Sequence, residues 1–404
     1  MKKILKLKPK ASSIFSKITN WLLLAYLFFL PTQFGKHFFF NFSFLNGIRV
    51  DYLAPTFYFL DLIFLALFFL NLKSIFNFFR KKTFLVLIFF LFFNALFSLN
   101  AWLTTYKVFR IFQWLTIFFL FSKNKLPAKN ILLTLLASSL IQFFLAISQF
   151  TIGHSLQGVF YFLGERSFSL ETSSIAKISF SGKEFLRAYG TFSHPNSLAG
   201  FYLLLYTAIL ISKKFQSQVV LKNILMFVFI LLIFLSFSKT AIIALIVITL
   251  IFQMTKKNFC RVCVISRILV LICCGAIFLT GQTDPLSFAK RIELLENSLQ
   301  IIKYNFLFGV GLNNYLLAQV QFPSQYTNFF NQPVHNVFLL IFAEAGFINL
   351  GVILFLTKDF LIKLLKSKYL LLLVLLFTGM ADHYWWSLQQ NFFLIAVIFG
   401  LEFV

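Results

Sequence analysis

Acidic side chains are scarce in this chain: 12 Asp and Glu stand against 36 Lys and Arg in 404 residues. Acid-lined metal cages are therefore excluded, and no pair of carboxylates is poised as in a glycoside hydrolase. No DxD-like or His-rich metal motif is present. Cysteine is scarce too, at four. Cys260 and Cys263 have CxxC spacing, but no second pair or nearby His completes a zinc site, and Cys273 and Cys274 fall inside an apolar run. A disulfide-stapled fold is excluded and reduced or buried thiols are expected. The sequence also lacks a Walker A loop, a GxGxxG motif with a following acidic residue, and a clear internal repeat. Its basic start is not followed by a small-residue cleavage site, so no cleavable signal peptide is expected.

What the chain has in excess is apolar surface. It is 60% hydrophobic with a mean hydropathy of +0.87, where soluble domains run at roughly 45–50% apolar. The 62 Phe carry no functional weight, because a lipid-facing position accepts any large apolar side chain. Apolar runs long enough to cross a bilayer recur near 19–34, 56–72, 84–99, 106–122, 131–152, 197–212, 220–237, 240–254, 265–281, 335–356, 369–381 and 387–403. The fold class predicted is all-α: a polytopic membrane protein of about twelve transmembrane helices, with residues 1–404 forming one integral membrane domain.

The net charge of +24 then reads as topology. With both termini in the cytoplasm, every inside segment is basic, and together these segments hold 24 of the 36 Lys and Arg. The charge thus orients the chain and contacts anionic membrane lipids, and no nucleic acid partner is expected. The outer face is different. It carries two long segments, 153–196 and 282–334, and all five His lie on or near it. Long polar loops on a rigid scaffold are where chemistry concentrates.

Several stretches supply candidate residues there. RAYGTFSHPNSLAG (187–200) holds Arg187, His194 and Asn196 at the mouth of an apolar helix. Asn196 suits a helix cap, and Arg187 suits an interfacial arginine as well as an anion site. In 289–315, apolar residues at helical spacing predict an amphipathic surface helix with Lys290 and Arg291 at its N-terminus. Cations oppose the dipole there unless a bound anion reverses the penalty. QPVHNVFLLIFAEAG (332–346) opens a span with His335 and Asn336 and carries Glu344 further in. His335 suits a base or a cap; Glu344 suits a site or an interhelical pair. Arg110 and Gln113 are polar within an apolar run, and Lys239 sits between two spans. Lys36, His37, Arg49, Asp51, Asp382 and His383 form a rim without assigned purpose. A cationic cup with few carboxylates fits a polyanionic head group such as a lipid diphosphate, with a histidine to take a proton from an incoming hydroxyl.

The order R-x-x-GTF-x-HPN-x-x-AG, SFSKT, R-x3-L-x3-L…GVGLNNY and HN-x-F-L…F-AE-AG resembles the O-antigen ligase and O-antigen polymerase superfamily, most strongly over 185–355. The chain departs from the family pattern at Lys239, Leu295 and Phe306. The resemblance implies a GT-C-like inverting glycosyltransferase of the cytoplasmic membrane, working on its outer face without cofactor or metal. Its donor would be a glycan on undecaprenyl diphosphate and its acceptor a lipid or glycan hydroxyl. Carried over, Arg187, Arg291 and His335 are the catalytic residues. Lys239, His194, Asn196, Asn336, Glu344 and Arg110 are read as substrate-binding. The motifs leave ligase and polymerase open. A lipid-linked sugar transporter is the rival from another class, and it predicts inverted repeats and a polar path through the midplane.

Overall fold

The computed structural model describes residues 14–255, 286–322 and 331–402, with isolated positions between 265 and 280. The CRVC motif, Cys273, Cys274, the lysines of residues 1–13 and most of the expected span 265–281 lie outside the described residues.

The chain is mostly helical, and the helices follow the apolar runs. They are α1 (Ile14–Phe29), α2 (Phe59–Leu70), α3 (Leu72–Phe79), α4 (Lys82–Leu96), α5 (Ala101–Lys123), α6 (Ala128–Ile152), α7 (Pro195–Ile211), α8 (Val219–Leu235) and α9 (Lys239–Met254). The second half adds α10 (Ser287–Tyr304), α11 (Tyr315–Gln319), α12 (Val337–Gly379), α13 (Tyr384–Ser387) and α14 (Gln389–Glu402). The count of twelve spans is not confirmed. Among the described residues, α6 and α12 are long and apolar enough to cross a membrane, and a third span is added if α2 and α3, bent by 85°, act as one. The shorter apolar helices α1, α4, α7, α8 and α9 have at most 17 residues. At 1.5 Å per residue they reach about 26 Å, short of the ~30 Å hydrocarbon core. Helix α5 has 23 residues, but Lys107, Arg110 and Gln113 interrupt its apolar face.

Among the described residues, short strands form three antiparallel ribbons in the connecting segments: Gly35–His37 with Thr56–Tyr58, Phe44–Leu45 with Ile48–Arg49, and Lys177–Phe180 with Lys183–Leu186. The all-α expectation missed them. Two close through Asn46-Gly47 and Ser181-Gly182, with positive φ at all four residues, the backbone of a type I′ hairpin turn.

Helix α7 is buried on all sides among the described residues. Leu198 through Leu210 are all buried, as expected of a helix that is apolar all round. It packs against α8, α9, α12 and α14, and α6 packs against α1 and α8. Helix α10 packs on α12 and keeps Leu294, Asn297, Ser298 and Ile301 inside. The stripe that predicted an amphipathic surface helix is turned outward, with Ile292, Leu295 and Leu299 exposed.

Two separate expected spans, 335–356 and 369–381, fall largely on the 43-residue α12, which leaves helical geometry at Gly346 and Lys368. At Gly346 (φ 72°) the freed backbone is re-satisfied by the GVG turn. Val310 and Gly311 N–H donate to Ala343 and Glu344 carbonyls, and Phe347 and Ile348 N–H donate to Phe306 and Leu307 carbonyls, at 2.8–3.1 Å. Backbone breaks inside a membrane protein persist only with such partners. A Cβ on Gly346 would collide with the Gly309 nitrogen and the Phe308 carbonyl carbon, and one on Gly309 would collide with Glu344 backbone. Gly346→Ala is therefore expected to destabilise the chain by several kcal/mol, of order the 1–3 kcal/mol of backbone strain plus the clash. A melting temperature equal to wild type in detergent would contradict this.

Candidate functional site

The segment 187–194 is fixed by amide side chains from two helices. Gln149 on α6 accepts from Tyr189 and Gly190 N–H and donates to the Gly190 carbonyl. Gln142, two turns earlier on the same face of α6, accepts from Thr191 N–H, and Gln390 on α14 donates to the Thr191 and Pro31 carbonyls. These amides pair the buried backbone of Tyr189, Gly190 and Thr191.

That loop delivers Arg187 to the C-terminus of α8. Its Nε donates to the Ser236 carbonyl at 2.9 Å, where the helix dipole favours a cation. Its Nη2 donates to Asn196 Oδ1 at 2.7 Å. Asn196 in turn donates through Nδ2 to Asp382 Oδ2 at 2.9 Å. Asp382 Oδ1 lies 3.7 Å from His335 Nδ1, an ion-pair separation too long for a hydrogen bond. His335 Nδ1 is buried and has no hydrogen-bond partner among the described residues. The His383 ring lies beside it, with centroids 5.4 Å apart. Its Nδ1 is 2.6 Å from the Ser387 hydroxyl, and its edge meets the Tyr52 ring at 5.6 Å. Arg291, partly buried on α10, is close enough for its charge to act on both Arg187 and His383.

Arg187, Asn196 and His335 thus form one polar chain through Asp382, with Arg291 in electrostatic range and His194 beside them. The helix-cap roles are exchanged relative to expectation. His194, not Asn196, caps α7: its Nδ1 accepts from Asn196 N–H at 3.1 Å. Asn196 is freed to bridge Arg187 and Asp382. Asn336 caps α12 by accepting from Phe338 and Leu339 N–H. Lys239 opens α9 and is exposed, three residues beyond the carbonyl that holds Arg187. Glu344 is buried, accepts from Trp386 Nε1 at 2.7 Å, and lines a cavity with Tyr52, Asn313 and Ser387. Arg110 stands apart, neutralised by Asp61 at 2.6 Å and bound to Gln113 and Tyr106. Sequence reasoning left Asp382 and His383 in the unassigned rim. The signal was there: an Asp-His pair between two apolar helices has no structural need to be charged.

Burial, then the nearby Arg187 guanidinium, pushes the His194 imidazole down to about 3. Burial likewise pushes His383 down to about 4, although Asp382 acts the other way. Burial also lowers Arg187, to about 10, with Arg291 adding to the effect. Burial alone would raise the Asp382 carboxyl, but His335, His383 and His194 facing it hold it well below the usual carboxylate range. Asp382 is therefore held as an anion, facing three imidazoles and linked through Asn196 to the Arg187 guanidinium. Unfolding lets His194 and His383 take up protons below their ordinary value of 6.5. Stability is then fully present above pH 6.5 and falls as pH drops toward 4 and 3, where the folded forms protonate. The slope is expected to approach about 1.4 kcal/mol per pH unit for each histidine. Denaturant titrations of His194→Asn and His383→Gln should each flatten it, and an unchanged slope in both would contradict the assignment.

Residues 224–356 match the family described as O-antigen ligase, about a third of the chain. The resemblance read from the motifs therefore holds: this stretch carries the pattern of the O-antigen ligase and polymerase superfamily. It contains Lys239, Arg291, His335, Asn336 and Glu344, and it leaves out Arg187, His194, Asn196, Arg110, Asp382 and His383. No curated protein matches the chain significantly.

Proposed function

We propose that this chain is a glycosyltransferase of the O-antigen ligase or polymerase type, set in the cytoplasmic membrane with both termini inside and the site on the outer face. Its donor is a glycan on undecaprenyl diphosphate. Its acceptor is a hydroxyl of a lipid or of another glycan. The observation that carries this reading is the chain Arg187–Asn196–Asp382–His335, with a second arginine, Arg291, near enough for its charge to act on Arg187 and on the adjacent His383. Two guanidinium groups suit the bidentate oxygens of a diphosphate.

On this reading the acceptor oxygen attacks the anomeric carbon from the face opposite the diphosphate. The carbon–oxygen bond to the diphosphate breaks, and the configuration inverts. The leaving oxygen carries away the electron pair, and Arg187 and Arg291 neutralise its growing charge. The hydroxyl proton passes to His335, and the Asp382 carboxylate stabilises the imidazolium that forms. The bond energy resides in the activated donor, so no nucleotide is consumed. The arginines supply the cationic charge that a metal ion supplies in other transferases, so transfer proceeds without one.

The test is reconstitution with a lipid-linked oligosaccharide and candidate acceptors, with and without chelator. Transfer that survives the chelator and disappears in His335→Ala is expected. Loss of transfer on chelation would overturn the metal-free mechanism. Movement of the lipid-linked sugar across the bilayer without transfer would favour a transporter.

A further inference from the structure

We propose that His335, Asp382 and His383 form a site for a divalent transition ion of the zinc class, whose occupancy switches transfer off. The inference goes beyond the metal-free transfer above and rests on it only for the switching.

The geometry comes first. One ligand atom from each residue lies within 4.8 Å of one from each of the others. A tetrahedral ion with bonds of 2.0–2.2 Å holds its ligands about 3.4 Å apart. The three side chains therefore need to close by about an ångström or so. His335 can supply that movement, since its Nδ1 is committed to no hydrogen bond among the described residues. The other two are already oriented. Ser387 engages His383 Nδ1 at 2.6 Å, which leaves the other ring nitrogen for a metal. Asn196 and the His383 backbone N–H each hold one Asp382 oxygen, at 2.9 and 2.8 Å. Such outer partners fix a ligand's direction and basicity.

The donor chemistry selects the ion. Two imidazoles and one carboxylate suit zinc, cobalt or iron, whereas magnesium and calcium demand more oxygen ligands. Arg187 reaches the same carboxylate through Asn196, and Arg291 acts on His383. Both oppose a dication, so affinity should be moderate and the ion exchangeable. An ion on His335 occupies the group that the reaction needs as a base. It also adds positive charge beside the two arginines, which lowers the ion's affinity further.

The experiment uses the purified full-length chain in detergent and Co²⁺ as the spectroscopic probe. Titration should raise intense visible d–d bands of four-coordinate cobalt, saturating at one ion per chain. Asp382→Asn and His383→Ala should abolish the bands, and Ser387→Ala should weaken binding by about 10-fold or more. Folding of each variant is checked by its melting transition, and His383→Gln provides a ring-free control of similar polarity. In the transfer assay, Zn²⁺ should inhibit and chelator should restore activity. Bands that persist in Asp382→Asn and His383→Ala, or no bands in the wild type, overturn the site. A chain that shows the site-dependent bands but transfers no glycan under any condition instead overturns the functional reading, and the metal site stands.

Discussion

Arg187→Ala should lower glycan transfer by about 10²–10³-fold, the effect of removing one preorganised donor from a developing anion. The expectation comes from where the side chain is held. Its Nε is fixed on the Ser236 carbonyl and its Nη2 on Asn196, so the guanidinium has little freedom left to lose on binding. Arg187→Lys should not rescue, because an ammonium cannot bridge a carbonyl and an amide oxygen while presenting a flat face to a diphosphate. The loss should appear in kcat, with the variant still inserted and monodisperse in detergent. The Asn196–Asp382 link also depends on this residue. Asp382→Asn should therefore show a smaller loss whose pH profile shifts, since the partner of His335 changes charge. Transfer by Arg187→Ala within 5-fold of wild type would remove the residue from the mechanism.

Removing Asp61 should cost about 3–5 kcal/mol of stability, because it leaves a cation buried without its counterion. Asp61 accepts from both terminal nitrogens of Arg110, from Gln113 and from the Tyr58 N–H. Arg110 also donates to the Thr56 carbonyl and the Tyr106 hydroxyl. The cluster ties α2, α5 and the strand before α2 together near the start of the chain. Asp61→Ala should be poorly folded. The double variant Asp61→Leu with Arg110→Met should recover much of the loss, since two apolar side chains of similar volume replace a pair that must otherwise be desolvated. Denaturant or thermal unfolding of the purified chain reads both. Wild-type stability of the single variant, or transfer lost in a well-folded double variant, would return Arg110 to the substrate side.

How far the sequence could be read depends on what each residue type reports. Hydropathy located the helices well, because burial in lipid or protein demands apolar side chains in either case. For the same reason it could not separate a span from a short buried helix such as α7, and the number of crossings stayed out of reach. Arg187 and His335 were legible as polar groups at helix mouths. Their linkage was not, since Asn196 and Asp382 lie 186 positions apart and no periodicity connects them. His194 and Asn196 exchanged roles because both can cap a helix, and only φ/ψ at the turn decides which does. Arg110 looked like a ligand group because an intramembrane charge is a functional candidate by default. Its partner Asp61, 49 positions earlier, was visible as an isolated acid but could not be paired with it by spacing.

The junction between the GVG turn and the break at Gly346 has a mechanical meaning. Arg291 rides on α10, whose chain runs on into that turn, and His335 precedes the helix that the turn grips at Gly346, ten residues beyond Asn336. The group proposed to steady the departing diphosphate and the group proposed to receive the proton are therefore bolted to one girder. On the proposed reading, the spacing between the two groups is therefore fixed by this junction rather than by two independent segments.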